Sequence, residues 1–111
     1  MNATTLPIAV TAAFLASASF YHLAAPDHAE RTFSRPGPVR VVGGVLSLLG
    51  AWCLSCVAPA NRIVGLPMLL SGLARLLAPD RMIRVNTWTS RYVHGVLMLF
   101  AAIGCVWLIF A

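Results

Sequence analysis

Residues 6–25 run for the length of a bilayer crossing without one formally charged side chain, and three later stretches come close to the same property: 39 or 41 to 58, 63–78, and 92 or 93 to 111. The hydrocarbon core of a bilayer is about 30 Å thick, and a helix rising about 1.5 Å per residue needs about 20 apolar residues to cross it. In a chain of 111 residues with 59% hydrophobic and 10% charged side chains, such stretches leave little sequence outside the membrane. An ordinary soluble domain carries roughly 25% charged residues. A soluble enzyme, a disordered tail and a two-domain protein are therefore excluded. The expectation is an all-α integral membrane protein of four spans, with no domain hanging from it. The first stretch is expected to be a retained span and not a signal peptide, because Met1 to Thr5 bring no positive charge.

All eight basic residues are arginines, against three acids, Asp27, Glu30 and Asp80. Spread among apolar segments they form no groove for nucleic acid, and none is expected as a partner. Their placement reads as topology. Arg31, Arg35 and Arg40 lie between spans one and two, and Arg81, Arg84 and Arg91 between spans three and four, whereas the middle connection holds only Arg62. By the positive-inside rule the first and third connections are cytoplasmic and both termini are outside, in the periplasm if the membrane is a bacterial inner membrane. Trp52 and Trp107 fall near the outer ends of spans two and four and Trp88 in an inner connection, as interfacial aromatics do.

The chain also matches itself. Leu23-Ala24-Ala25-Pro26-Asp27 aligns with Leu76-Leu77-Ala78-Pro79-Asp80, and the same offset carries Arg31 onto Arg84. With one residue dropped from the connection, Gly43 aligns with Gly95 and Cys53 with Cys105. The match suggests two copies, residues 6–58 and 59–111, each a transmembrane hairpin. Two spans separate the copies, so both keep one orientation, related by a pseudo-two-fold axis along the membrane normal. Proline at the exit of a span ends it or opens a new helix, because it has no N–H to donate and disfavours helix in the residue before it. Asp27 and Glu30 have the spacing of a capping box, and a short interfacial helix over about 28–33 is expected, with a counterpart after Asp80 where Arg81 and Arg84 alternate with Met82, Ile83 and Val85.

This order of span, proline step, short amphipathic stretch and Arg-x-x-Gly helix resembles the YjeT-like family of small bacterial inner-membrane hairpins. The resemblance rests on residues 23–27 with Arg40 and Gly43-Gly44, and on residues 73–80 with Arg91 and Gly95. It covers nearly the whole chain as a tandem duplication. It implies a small accessory membrane protein and brings no catalytic residues or cofactor.

Few side chains offer chemistry. His22 and His94 should share a level at the inner end of spans one and four, where they could ligate a haem between helices or simply hydrogen-bond at the interface; His28 lies in the connection. Cys53 and Cys56 have a C-x-x-C spacing, but within an apolar helix end they read as small packing residues, with a redox pair as the alternative. Arg75 is the one charge well inside a span; it can snorkel to headgroups or pair with Asp27 or Asp80. Ala9, Ala13 and Ser17 on span one, and Gly43, Ser47 and Ala51 on span two, recur every fourth residue as helix-packing or partner-docking faces. Faces bearing Phe14, Leu48, Leu97 and Phe100 can meet lipid or protein. The functional expectation is a noncatalytic accessory or scaffold subunit of a larger inner-membrane complex, or a homo-oligomer. A small transporter and a haem-binding redox subunit using His22 and His94 are the alternatives.

Overall fold

The computed structural model describes residues 5–87 and 92–110. Among these the chain is all α: α1 (Leu6–Ala24), α2 (Pro26–Thr32), α3 (Pro36–Leu54), α4 (Pro59–Leu77), α5 (Pro79–Thr87) and α6 (Val93–Phe110). Trp88 and Arg91 fall outside the described residues.

Proline sets the boundaries. Ala25 closes α1 by donating its N–H to the Tyr21 carbonyl at 3.0 Å, and its own carbonyl accepts from Ala29 at 3.0 Å to open α2. Pro26, with no N–H, stands between, and forces Ala25 out of helical geometry to φ −134°, ψ 62°. The same break recurs at the matching step of the second half: Ala78, at φ −138° and ψ 61°, ends α4 on the Ala74 carbonyl and accepts from Met82. The expected capping box is absent here. Ala25 is the N-cap of α2 with no side-chain cap bond, and Asp27 lies inside the first turn, where a carboxylate favours the positive end of the helix. The short helix starts ahead of the expected 28–33 because Pro26 is itself a good first helical residue.

Three helices, α1, α3 and α6, are long and apolar enough to cross a membrane. The α4 helix reaches that standard only together with α5, from which it bends by 108°. Asn61, Arg62 and Arg75 make it the least apolar of the long helices.

The long helices do not pair as two tandem hairpins. The extensive contacts run between the halves, α3 against α4 and α1 against α6, while α1 and α3 meet over a smaller area. The reason lies in the connections. Residues 55–58 form a short turn that folds α4 directly back on α3, but the short helix α2 separates α1 from α3 and leaves each free to take another partner. Residues Ile8 and Ala12 of α1, Leu46 and Cys53 of α3, Val64 and Met68 of α4, and Cys105 of α6 form a shared apolar core. The buried positions correspond between halves. Ile8, Thr11, Ala12 and Ser19 match Asn61, Val64, Gly65 and Gly72, while Gly43, Gly50 and Cys53 match Gly95, Ala102 and Cys105.

Candidate functional site: the helix seams and the α1–α2 end of the bundle

The α3/α4 seam is made by glycine. A Cβ on Gly43 would lie 2.8 Å from the Gly72 carbonyl oxygen, and one on Gly72 would lie 2.7 Å from that of Gly43. Gly50 and Gly65 are reciprocal in the same way, each 2.9 Å from the other's carbonyl oxygen. Without a side chain at these four positions the two backbones touch, gaining the dispersion contact that drives helix association in lipid, where apolar side chains gain nothing from leaving the solvent. The heptad step from Gly43 to Gly50, met by Gly65 and Gly72 on the antiparallel partner, keeps one seam facing the other over two turns.

This corrects the expected packing faces. Gly43 and Ser47 do sit in the α3/α4 seam, Ser47 Oγ lying against Gly72, but Ala51 is exposed and Gly50 takes its place. On α1 the stripe faces outward. Ala13 and Ser17 are exposed and Ala9 half-buried, whereas Ile8, Thr11, Ala12 and Ser19 face the bundle. Ser17 turns its hydroxyl back to the Ala13 carbonyl at 2.8 Å. A four-residue spacing marks where backbones are able to approach, and only the tertiary arrangement decides which such face is used.

At the α1/α6 seam Ser19 Oγ donates to the Gly95 carbonyl at 2.7 Å, both groups buried. Hydrogen bonds of this kind between membrane helices average about 0.6 kcal/mol. A Cβ on Gly95 would lie 2.7 Å from the Leu23 side chain. Thr11 Oγ1 and Cys53 Sγ, 3.8 Å apart, join α1 to α3. Cys53 and Cys105 are free thiols in the core and Cys56 a half-buried one, its thiol 3.9 Å from the Trp52 carbonyl.

The end of the bundle where α1 gives way to α2 gathers rings. The structure brings His22 and His94 together, with centroids 6.1 Å apart and ring planes inclined by 47°. His22 also stacks on Phe33, with centroids 5.4 Å apart. Tyr21, which the sequence did not single out, organises this corner. Its hydroxyl hydrogen-bonds His28 Nδ1 and lies 3.1 Å from Thr32 Oγ1, so α2 is tied down against the end of α1. Its ring also meets His28 and Phe33 edge-on. A tyrosine placed about one turn before a proline break was the available signal. A macrocycle between the imidazoles would have to part α1 and α6 beside Gly95, where Leu23 already fills the space, and would have to share His22 with Phe33.

Arg75 is half-buried, and its Nη1 donates to the Ser71 carbonyl at 3.1 Å and to the Ser71 hydroxyl. These partners lie one turn back on its own helix, so among the described residues Arg75 pairs with neither Asp27 nor Asp80. Both aspartates instead occupy first turns, of α2 and α5. Arg31, Arg35, Arg40, Arg81 and Arg84 are all exposed, on or beside the segments at this end. Trp52 and Trp107 are exposed near the opposite end, where α3 and α6 finish.

Comparison with known proteins finds no family model that matches the sequence, no curated protein similar to it and no solved structure similar to it.

Proposed function

We propose that this chain is a noncatalytic, four-span protein of a bacterial inner membrane that serves as an accessory or scaffold subunit of a larger membrane complex. In this reading α4 is the fourth span, held along α3 by its glycines, and α5 turns away at the bilayer surface. Both termini are periplasmic, and the exposed arginines of the inner end face the cytoplasm and its anionic lipids. The resemblance to the YjeT-like hairpins points to the same class of small accessory protein.

One observation carries the reading: the small-residue face of α1 is built for close approach and left unused. Ala13 and Ser17 point away from the bundle, while the glycine seam between α3 and α4 is filled from within. A partner helix laid on that face would meet the α1 backbone as α4 meets α3. Two polar groups of the interior hold helices together, Ser19 with Gly95 and Thr11 with Cys53.

The test is affinity purification of the tagged full chain in mild detergent, with partner identification by mass spectrometry, beside the Ala13→Leu variant. A stable larger assembly is expected for the wild type, with at least tenfold less partner recovered with Ala13→Leu while helicity stays unchanged. Recovery of a lone monomer from the wild type would overturn the accessory role, and full partner recovery with Ala13→Leu would remove the α1 face from it.

A further inference from the structure

His22 and His94 come from distant parts of the chain, one in the last turn of α1 and the other in the first turn of α6, and the fold sets their imidazoles side by side. With ring centres 6.1 Å apart, and each nitrogen about 1.15 Å from its own centre, the nearest nitrogens are separated by at least about 3.8 Å, beyond a hydrogen bond. Inclined by 47°, the rings are not stacked either. The spacing is instead that of two imidazoles with one atom between them. Metal–imidazole bonds are about 2.0 Å long, so two imidazoles on one ion have ring centres about 5 Å apart at a tetrahedral angle and about 6.3 Å apart on opposite sides of it. The observed separation falls just inside the second limit. Two further rings hold His22 in place, Tyr21 edge-on at 5.7 Å and Phe33 stacked at 5.4 Å. Among the described residues the His22 imidazole makes ring contacts and no hydrogen bond, which leaves its nitrogens for a ligand. The helices cannot draw closer to shorten the gap, since a Cβ on Gly95 would already lie 2.7 Å from the Leu23 side chain.

We infer that His22 and His94 together bind one divalent transition-metal ion, Cu(II) in preference to the others, which bridges α1 and α6. The donors decide the class of ion. Imidazole nitrogen suits zinc, copper and nickel, whereas magnesium and calcium take oxygen ligands. Donors on nearly opposite sides of the ion match the tetragonal coordination of Cu(II) or Ni(II) better than the tetrahedral coordination of Zn(II), and Cu(II) binds such ligands most tightly of the first-row divalent ions. Among the described residues no group of three His, Cys, Asp or Glu side chains is placed to hold an ion, so water completes the coordination and the ion exchanges, unlike one in a closed four-ligand site. Both histidines are half-buried, and an ion reaches them without passing through the bundle core. A single ion also fits where a macrocycle would have to part the helices. The site does not depend on what covers the outer face of α1.

The test is titration of the full-length protein with Cu(II) against a competing chelator, in mild detergent and with a histidine-free affinity tag, followed by pulsed electron paramagnetic resonance in a non-coordinating buffer. His22→Asn and His94→Asn each remove one donor; His28→Asn, on α2, removes an exposed imidazole bonded to Tyr21 and is the control. One Cu(II) per chain is expected on the wild type and on His28→Asn, with the spectroscopic signature of two imidazoles and a melting temperature that rises with copper. Losing even an outer partner of a metal ligand weakens binding about tenfold or more, so His22→Asn and His94→Asn should each weaken it by at least that factor and abolish the copper-dependent rise. Circular dichroism must be unchanged in whichever variant is scored. A wild type that takes up no copper, a spectrum with a single imidazole, or equal affinity in a folded variant lacking either histidine would overturn the inference. Loss of binding in His28→Asn alone would overturn it too, by placing the ion on α2. The two-imidazole spectrum of the wild type keeps the test decisive if neither single variant folds.

Discussion

Glycine has opposite meanings at different positions along α3. At Gly50 an added methyl carbon would lie 2.6 Å from the Leu69 backbone nitrogen and 2.9 Å from the Gly65 carbonyl oxygen, so the α4 backbone itself must move. At Gly44 the same carbon meets open space. Gly50→Ala is therefore expected to destabilise the bundle by about 1–3 kcal/mol, the usual cost of overpacking a close seam. Gly44→Ala should be neutral or stabilising by up to about 1 kcal/mol, since alanine is the better helix former. Unfolding by denaturing detergent, followed by circular dichroism, reads both, and a common sign for the two substitutions would refute the glycine seam. The residue scale is also where the sequence was least legible. Gly43 and Ser47 were visible in a four-residue spacing, but Gly50, Gly65 and Gly72 acquire their meaning only as reciprocal pairs on antiparallel helices. Arg75 shows the same limit. Its burial depth could be read from position, but not its choice of Ser71, a neighbour on its own helix, over an acid from a distant turn.

Single helices were easier to foresee. Apolar length marks α1, α3 and α6, and an alanine-proline step inserts a helix boundary because proline removes a donor and alters the residue before it. Both Ala25 and Ala78 obey this, which is why α2 and α5 arise at matched places. What holds α2 in place was not legible, since it depends on Tyr21 reaching across the break to His28 and Thr32. Removing that hydroxyl deletes both bonds and leaves the ring contacts. Tyr21→Phe should cost about 1 kcal/mol locally and raise the amide hydrogen exchange of α2 severalfold without changing that of α3. Exchange in α2 that stays at the wild-type rate would mean that ring stacking alone fixes it.

For the whole molecule, packing decides which helices pair, and the positive-inside rule makes charge the expected guide to orientation. The arginines on and beside α2, and those of α5, lie at one end of the bundle, and among the described residues only Arg62 lies toward the other. Replacing Arg31, Arg35 and Arg40 by Gln while adding arginines around Arg62 should weaken or invert the insertion bias, read by labelling of single cysteines placed at either terminus from the periplasmic side. Labelling of the termini that does not change in such a variant would show that these arginines do not set the topology. The apolar stretches, the proline breaks and the one-sided arginines were determined by the sequence itself, because each acts through neighbours along the chain or through the membrane as solvent. That α3 pairs with α4 and α1 with α6, and that Ala13 and Ser17 face outward, only the tertiary structure decided. Those outcomes depend on which backbones can come into contact, and the small residues that permit contact outnumber the contacts the bundle makes.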